Sequence, residues 1–545
     1  MTRGVVPVSR EEEKGDHDPM AKPISFGKLE CEIVASMDAA RLAPSPETPF
    51  CILVMGDFSG RADRGLFEQG APLGKRRLRR IDRDNLDEVM AALGVEIRLP
   101  LSGEDGPPLP LRFSELDDFH PDQIYEHLAL FKEIKERRRK LGDPSTFAKA
   151  AAELQKKKGN SAPRAGSEGT EESLGKLAQQ STSDLLDQIL DDSDGSAPPY
   201  APNRVTSEWD GFLQRIVEPH LVPDIEQEQD AFLAALDIAT GEMMRAILHY
   251  PAFQELEAAW RGLSFLVSRI ETDDQLKLYL LDISRAELAA DLGSAEDLRG
   301  TATYRLLVEQ TVETPGAEPW SLLVGAYTFD NSLRDAELLG RMVKIACAAG
   351  APFIGAAGDG VLGCESLAGT PDPKEWQLPQ DVEAKRAWDS LRSLYESAFL
   401  GLALPRFLLR LPYGAETDPV DSFAFEEMTA PPEHGHYLWG NPALVCALLL
   451  GQSFSEMGWE MSPGIIQEIE DLPLHVYKEK GESRIKPCAE TLLTQGAAEI
   501  IMEKGLMPVI SFKNSDTVRL ARFHSFSDPP AQLAGRWASR LKGEG

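Results

Sequence analysis

Between Ile247 and Val267 the apolar positions recur with helical spacing. Phe253, Leu256, Trp260, Leu263 and Val267 share one face, which predicts a buried helix over ILHYPAFQELEAAWRGLSFLV. Nearer the N-terminus, ISFGKLECEIVAS (Ile24–Ser36) alternates as a strand does. FCILVMG (Phe50–Gly56) is a continuous apolar run ending in Gly-Asp, the pattern of a buried strand that turns sharply. Leu86, Val89, Met90 and Leu93 form the stripe of a helix opened by Asp84-Asn85 and closed by Gly94. VEIRLPL and LPLRFSEL predict strands around a GEDGPP loop. Pro121 opens a longer helix whose apolar face is Ile124, Leu128, Phe131 and Ile134. Its basic cluster Arg137–Lys140 lies near the C-terminal end, where it complements the helix dipole. Together these elements predict a small α+β domain.

Further on, strand and helix patterns alternate. LKLYLLDIS, WSLLVGAYTF, APFIGAA and LPRFLLRL read as strands, separated by helical patterns at Ala286–Leu292, Tyr304–Val312, Arg334–Ala349 and Val382–Phe399. That order predicts an α/β sheet with helices on its faces. No internal repeat relates the two halves. Between them the composition changes: KKKGNSAPRAGSEGTEES is a linker by composition. One island interrupts it, STSDLLDQILDD (Ser181–Asp192). Leu185, Leu186, Ile189 and Leu190 fall on one side of a short helix, and Ser181 with Asp184 fits a capping box. Such a turn cannot bury itself and docks on something else. The expected organisation is a disordered stretch over 1–21, a first domain over 22–154, a flexible linker over 155–223 carrying the helix 181–192, and a second domain over 224–545.

A chain of 545 residues with 42% hydrophobic content is long enough for two or three domains with cores. Its net charge of −31 argues against nucleic acid and against anionic membrane surfaces, and suits a soluble, crowded assembly. The six cysteines (Cys31, Cys51, Cys347, Cys364, Cys446, Cys488) form no CxxC pair. They suggest neither zinc nor a disulfide scaffold, but small core residues in a reducing cytoplasm. The first residues lack an apolar signal region and no run is long enough to span a bilayer, so a cytoplasmic protein without membrane insertion is expected.

Candidate chemistry is sparse. GAAGDG (Gly355–Gly360) lacks the following Lys-Ser/Thr of a phosphate loop and reads as a tight turn after a strand. The imidazoles of His434 and His436 have no further ligands at metal spacing and read as a solvated loop. GxSxG and HExxH are absent, and no Cys-His pair lies near a strand end. Asp57 reads as a turn cap. His475 has apolar neighbours and reads as a core or interface histidine. Trp260 and Trp439 are candidates for the same roles, burial within a domain being favoured over contact between subunits. No catalytic residue, cofactor or metal is expected.

Eight runs occur in a family order: ILHYPAFQELEAAWRGLSFLV, then LPRFLLRLPYG (Leu404–Gly414), DPVDSFAFEE (Asp418–Glu427), YLWGNPA (Tyr437–Ala443), SFSEMGW (Ser453–Trp459), DLPLHVY (Asp471–Tyr477), IKPCAE (Ile485–Glu490) and GLMPVISFKNSD (Gly505–Asp516). Over about residues 225 to 520 the chain resembles the large subunit (TssC/VipB-like) of the type VI secretion contractile sheath. FCILVMGDFSGR (Phe50–Arg61), RIDRDNLDEVMAALGVEIRLPL (Arg80–Leu101) and LRFSELDDFHPDQI with its charged helix (Leu111–Leu141) resemble the small subunit (TssB/VipA-like). The chain thus resembles a natural fusion of subunits that most systems make separately, which would enforce their stoichiometry and raise local concentration.

The resemblance implies a structural subunit that polymerises with itself, as rings and a helical tube, around an inner-tube protein (Hcp-like), and drives its ejection by contraction. It implies neighbours joined by exchanged β-strands. Ile24–Ser36 is then the candidate exchanged strand, with Phe26, Leu29, Cys31 and Ile33. Leu185, Leu186, Ile189 and Leu190 occupy the place of the helix that docks an AAA+ unfoldase (ClpV-like), although a linker helix packed on its own domain fits the same residues. Baseplate components are further implied partners. Members of the family continue past FKNSD with more strands, whereas this sequence stops at Gly545, soon after LAGRW (Leu533–Trp537), so part of the strand-exchange machinery is expected to be missing. Two alternatives remain: a non-contractile adaptor or cap at a baseplate or sheath end, at low stoichiometry and without tubes, and an α/β enzyme with an unrecognised site, which would need a cleft with converging ionisable groups.

Overall fold

The computed structural model describes residues 24–29, 44–100, 108–143, 146–147, 228–377, 381–429 and 431–539. Its longer helices are α1 (Leu86–Leu93), α2 (Pro121–His127), α3 (Ala129–Gly142), α4 (Glu228–Leu248), α5 (Pro251–Arg269), α6 (Arg285–Gly293), α7 (Leu333–Ala349), α8 (Val382–Arg392), α9 (Pro442–Met457) and α10 (Gln495–Glu503). The strands are β1 (Phe50–Gly56), β2 (Arg79–Ile81), β3 (Val95–Leu99), β4 (Leu109–Phe113), β5 (Leu276–Asp282), β6 (Trp320–Phe329), β7 (Phe353–Ala357), β8 (Leu400–Leu404), β9 (Phe407–Leu408), β10 (Trp439–Gly440), β11 (Glu468–Ile469), β12 (Val476–Glu479), β13 (Glu482–Ile485), β14 (Met507–Ser511) and β15 (Val518–Leu520).

Nine strands form one mixed sheet in the order β11-β15-β14-β8-β7-β6-β1-β5-β2. The six from β14 to β5 run parallel, and the outer strands are antiparallel. Helices cover both faces, which is why FCILVMG carries no polar alternation: all seven residues of β1 are buried. One face packs beneath α5 and α9, the other beneath α6, α7 and α8. The α9 helix is apolar nearly all round because it lies in the core, touching β6, β7 and β8.

The α/β and α+β elements expected from the pattern are present, but the first segment does not close on a sheet of its own. β1 pairs with β5 from Phe50↔Leu276 to Gly56↔Asp282 and with β6 on its other side. β2 then extends the same sheet beyond β5. Only β3 and β4 form a local pair. An N-terminal strand therefore sits in the middle of a sheet whose other strands, the edge strand β2 apart, come from residues after 270.

Several boundaries differ from the sequence reading. Ile247 and Leu248 end α4, and the helix bearing Trp260 begins at Pro251, since proline is favoured in a first turn. The helix expected from Pro121 is two helices. Leu128 is extended (φ −73°, ψ 127°), which resets the phase so that Leu130, Phe131, Ile134 and Leu141 share the buried side of α3. LPRFLLRL is not one strand: the sheet strand is β8, ending at Leu404 where Pro405 offers no N–H to a ladder, and Phe407–Leu408 pairs separately with β10. Helix α8 stops at Arg392, with a 3₁₀ turn at Tyr395–Phe399, and Arg305–Glu309 is a π-helical turn. The Ile24–Ser36 strand is represented by Ile24–Leu29, which makes one parallel bridge, Lys28↔Asp297. Cys31 and Ile33 lie outside the described residues, as do Leu185, Leu186, Ile189 and Leu190.

Candidate functional site

The seam between the two segments is built around β1. After β1 the chain turns through GDFSGR. Asp57 accepts from the backbone N–H groups of Arg61 and Ala62, each at 2.7 Å, so its carboxylate caps the turn as the sequence suggested. Gly60 has φ +72°, and a Cβ there would lie 2.3 Å from the Glu96 carbonyl oxygen, so the turn requires glycine. Arg61 and Arg76 then cross the seam to Glu287 on α6. Arg61 donates Nη2–H at 3.0 Å and Arg76 donates Nη2–H at 3.0 Å. The Glu287 side chain is fully buried. Burial alone would raise its carboxyl, but hydrogen bonds from Arg76 and Arg61 and from the Ser284 N–H outweigh it and hold the group at about 2. Beside it, Asp282 accepts from Phe58 N–H (2.9 Å), Ser59 N–H (3.1 Å) and Ser59 Oγ–H (2.7 Å), while burial pushes its own carboxyl upward.

Trp260 on α5 belongs to the same seam. It is fully buried against Phe58, and its Nε1–H donates to the Phe58 carbonyl at 2.7 Å. Below it, a buried charge cluster joins α5 to the chain after β9. Arg410 bridges Glu257 (2.8 Å) and Glu427 (2.7 Å), and Arg261 pairs with Glu257 at 2.6 Å. Burial disfavours the Arg410 charge, but the two carboxylates outweigh it. Glu427, which burial would raise, is held at about 2 chiefly by the charge of Arg410 and by hydrogen bonds from Arg410 and the Tyr413 N–H.

Trp439 and His475 meet at a second locus. The His475 Nδ1 and Tyr437 hydroxyl are 2.8 Å apart, and Trp439 donates Nε1–H to the His434 carbonyl at 3.0 Å. His434 contacts Glu490 (3.1 Å) and Lys486 (2.9 Å) rather than solvent alone, while His436 stacks on His249 with ring centroids 3.8 Å apart. Burial lowers the affinity of His436 and His475 for a proton; for His436 the neighbouring His249 adds to it. Among the described residues no group of three or more His, Cys, Asp or Glu is placed to hold a metal ion. GAAGDG is the end of β7 and a 3₁₀ turn, Asp359–Val361.

The N-terminal arm docks on the opposite face. Phe26 sits over Gly340 of α7, where a Cβ would lie 2.1 Å from the ring. Lys344 donates to the Gly27 carbonyl at 2.7 Å, Lys28 N–H to Glu296 at 2.6 Å, and Leu298 N–H to the Lys28 carbonyl at 3.0 Å. Leu29 is buried. The sheet ends in β2 and β11. β11 has two residues, and β2 carries Arg79 and Arg80, features that blunt an edge. The β12–β13 hairpin stands apart from the main sheet with Val476 half exposed.

Sequence reasoning singled out Trp260, Trp439 and His475, which the structure places in buried contacts within the chain. It did not single out Arg61, Arg76, Glu287, Glu257, Arg410 or Glu427. Glu287 carried a local signal, the capping-box spacing from Ser284, and Glu257 another, the i,i+4 spacing to Arg261, and the structure forms both. The cross-seam pairs, Arg61 and Arg76 with Glu287 and Arg410 with Glu257, join residues more than 150 positions apart.

A sheet whose middle strand comes from one segment and whose neighbours come from another defines an obligate pairing of two modules. Over residues 230–527, more than half of its length, the chain matches the family described as EvpB/VC_A0108, tail sheath N-terminal domain, and it belongs to that family. Residues 36–158 match a second family, described as Type VI secretion system, VipA, VC_A0107 or Hcp2. The Type VI secretion system sheath protein TssC1 of Pseudomonas aeruginosa PAO1 is 36% identical over 327 residues, covering 57% of this chain and 65% of its own length. The chain therefore spans just under two thirds of that relative. No helix among the described residues is long and apolar enough to cross a membrane.

Proposed function

We propose that this chain is a structural subunit of a type VI secretion contractile sheath, with both sheath modules in one polypeptide, working by assembly rather than catalysis. The observation that carries the reading is β1, from the segment matching the VipA family, hydrogen-bonded between β5 and β6 of the segment matching the tail sheath family. In this reading copies polymerise into rings and a helical tube around an Hcp-like inner tube, and contraction is a switch between two packings of the same copies. Baseplate components and a ClpV-like unfoldase are the further partners, and the cytoplasm is the site of assembly. The arm around Phe26 and Leu29 is the candidate for exchange between neighbours. Negative-stain microscopy of the purified chain, alone and with inner-tube protein, tests this. Tubes or rings support it. Uniform small particles under every condition sink it in favour of a non-assembling adaptor.

A further inference from the structure

Three stretches of chain converge beside β10. One brings His434 at the head of a 3₁₀ turn, one brings Lys486 and Glu490 just after β13, and Arg406 arrives between β8 and β9. The Lys486 amine is 2.9 Å from His434 Nδ1, and His434 Nε2 is 3.1 Å from Glu490 Oε1. Burial alone would raise the Glu490 carboxyl, but the hydrogen bond from His434 and the charge of Arg406 hold it at about 2. A carboxylate only accepts, so Nε2 carries the imidazole proton and Nδ1 turns its lone pair to the amine. Lys486 forms no ion pair among the described residues; the imidazole stands between amine and carboxylate.

An amine, an imidazole and a carboxylate, each within hydrogen-bond reach of the next, form the arrangement of an activated nucleophile. The third group orients the base and stabilises the cation it becomes. Packing fixes the parts. Trp439 donates to the His434 carbonyl, and its ring lies 4.9 Å from the imidazole. The rings of Tyr437 and Trp439 flank the amine, with centroids 5.1 and 5.4 Å from Nζ. Burial draws Lys486 below its ordinary value, against the opposite pull of Glu490, which favours the neutral amine. The pair is within reach of a small reagent, since the His434 side chain is 28% exposed and Lys486 is half-buried. Arg406 bonds the same Glu490 oxygen as His434, and its side chain is 46% exposed, which leaves guanidinium N–H groups for an anion beside the imidazole.

We propose that Lys486 is an acylation site, reacting with acyl phosphates through His434 and Glu490. The neutral amine attacks the acyl carbonyl carbon. The C–N bond forms, the acyl C–O bond to phosphate breaks, and its electron pair leaves with the phosphate. The amine's proton passes to His434 Nδ1 and on to the departing phosphate, while Glu490 holds the imidazolium. The products are the Lys486 amide and hydrogen phosphate. Arg406 seats the phosphate. The lysine is consumed rather than turned over, so the step is a modification of the chain, and it does not depend on the sheath reading. The amide is uncharged and removes the cation from between Tyr437 and Trp439.

Acetyl phosphate added to the full chain at constant ionic strength tests it, with acetyl occupancy at each lysine read by peptide mass spectrometry. Lys478 and Lys480, exposed on the β12–β13 hairpin, are the internal references. Lys486 should acetylate at least about 10-fold faster than either. His434→Asn keeps an acceptor near the amine but takes up no proton. It should bring Lys486 down to the reference rate and leave Lys478 and Lys480 unchanged, and His434→Gln should do the same. Inorganic phosphate should slow Lys486 alone, because it competes for Arg406. A Lys486 rate no higher than the references in the unsubstituted chain overturns the proposal, and that comparison needs no variant to fold. So does an advantage that persists in both substituted chains, or one that phosphate leaves untouched.

Discussion

Gly340→Ala isolates the docking of the N-terminal arm from the stability of the fold. The added Cβ would lie 2.1 Å from Cδ1 of Phe26 and 2.7 Å from its next ring atoms, so the ring must leave its seat. Phe26 is half buried; losing that burial costs about 1–1.5 kcal/mol, half the value for a fully buried phenylalanine. Three hydrogen bonds follow the ring, from Lys344 to Gly27, from Lys28 to Glu296 and from Leu298 to Lys28, at roughly 1 kcal/mol each. Against them stands the entropy of ordering the arm, about 1–2 kcal/mol per residue. The arm is thus held by a narrow margin, and losing the ring's seat is enough to release it. The helix gains instead, since alanine replaces glycine in the interior of α7 at about 1 kcal/mol in its favour. The expected result is two-sided: amides of 26–29 lose protection in hydrogen exchange, while the melting temperature stays level or rises slightly. Phe26→Ala should release the arm equally, and combining the two changes should add nothing further. Arm amides that remain protected in Gly340→Ala would refute the reasoning.

Arg410→Leu leaves the Glu427 carboxylate buried with the Tyr413 N–H as its remaining hydrogen-bond donor and should cost about 3–5 kcal/mol in urea unfolding; a loss under about 1 kcal/mol would show that the cluster is not stabilising as drawn. For pH, the partly buried His436 and the buried His475 and His524 have lowered folded values, so the unfolded chain binds more protons below its own histidine value of about 6.5. Their stabilisation is therefore full above that value and declines as pH falls toward 5.5, visible as a drop in the urea midpoint, and a flat profile from pH 7.5 to 5.5 would contradict it. A second decline follows below about 4.5 as Glu287, Glu427 and Glu490, each held at about 2, lose their advantage over the unfolded chain.

Local elements were legible wherever burial imposed a period. β1, β5, β6 and β7 read as apolar runs because parallel strands are covered on both faces, and α7 read as a helix over Arg334–Ala349, which the structure ends at Gly350 in the left-handed region (φ +66°). What pairs with what was not legible. Cys51 N–H donates to Ser321 Oγ across 270 positions, and no periodicity in FCILVMG announces that its neighbours are β5 and β6 rather than strands nearby. The candidate site divided in the same way. Asp57, Trp260 and His475 were visible as residues with a polar group beside apolar sequence. Glu287 and Glu257 looked like ordinary helical acids, since their burial is created by Arg61, Arg76 and Arg410 arriving from distant elements. Leu128 was misread because one extended residue shifts helical phase without disturbing the apolar pattern on either side.

The position of β1 makes module pairing a unimolecular event. A joint between two polypeptides comes apart on dilution; this one has no concentration term, so each copy carries its partner module at any expression level. It also sets an order of events. β1 leaves the ribosome long before Leu276 and Trp320 exist to receive it, so its apolar edges must wait for the later segment or be shielded meanwhile. Birth of a copy, more than its lifetime, is when this design is exposed to error.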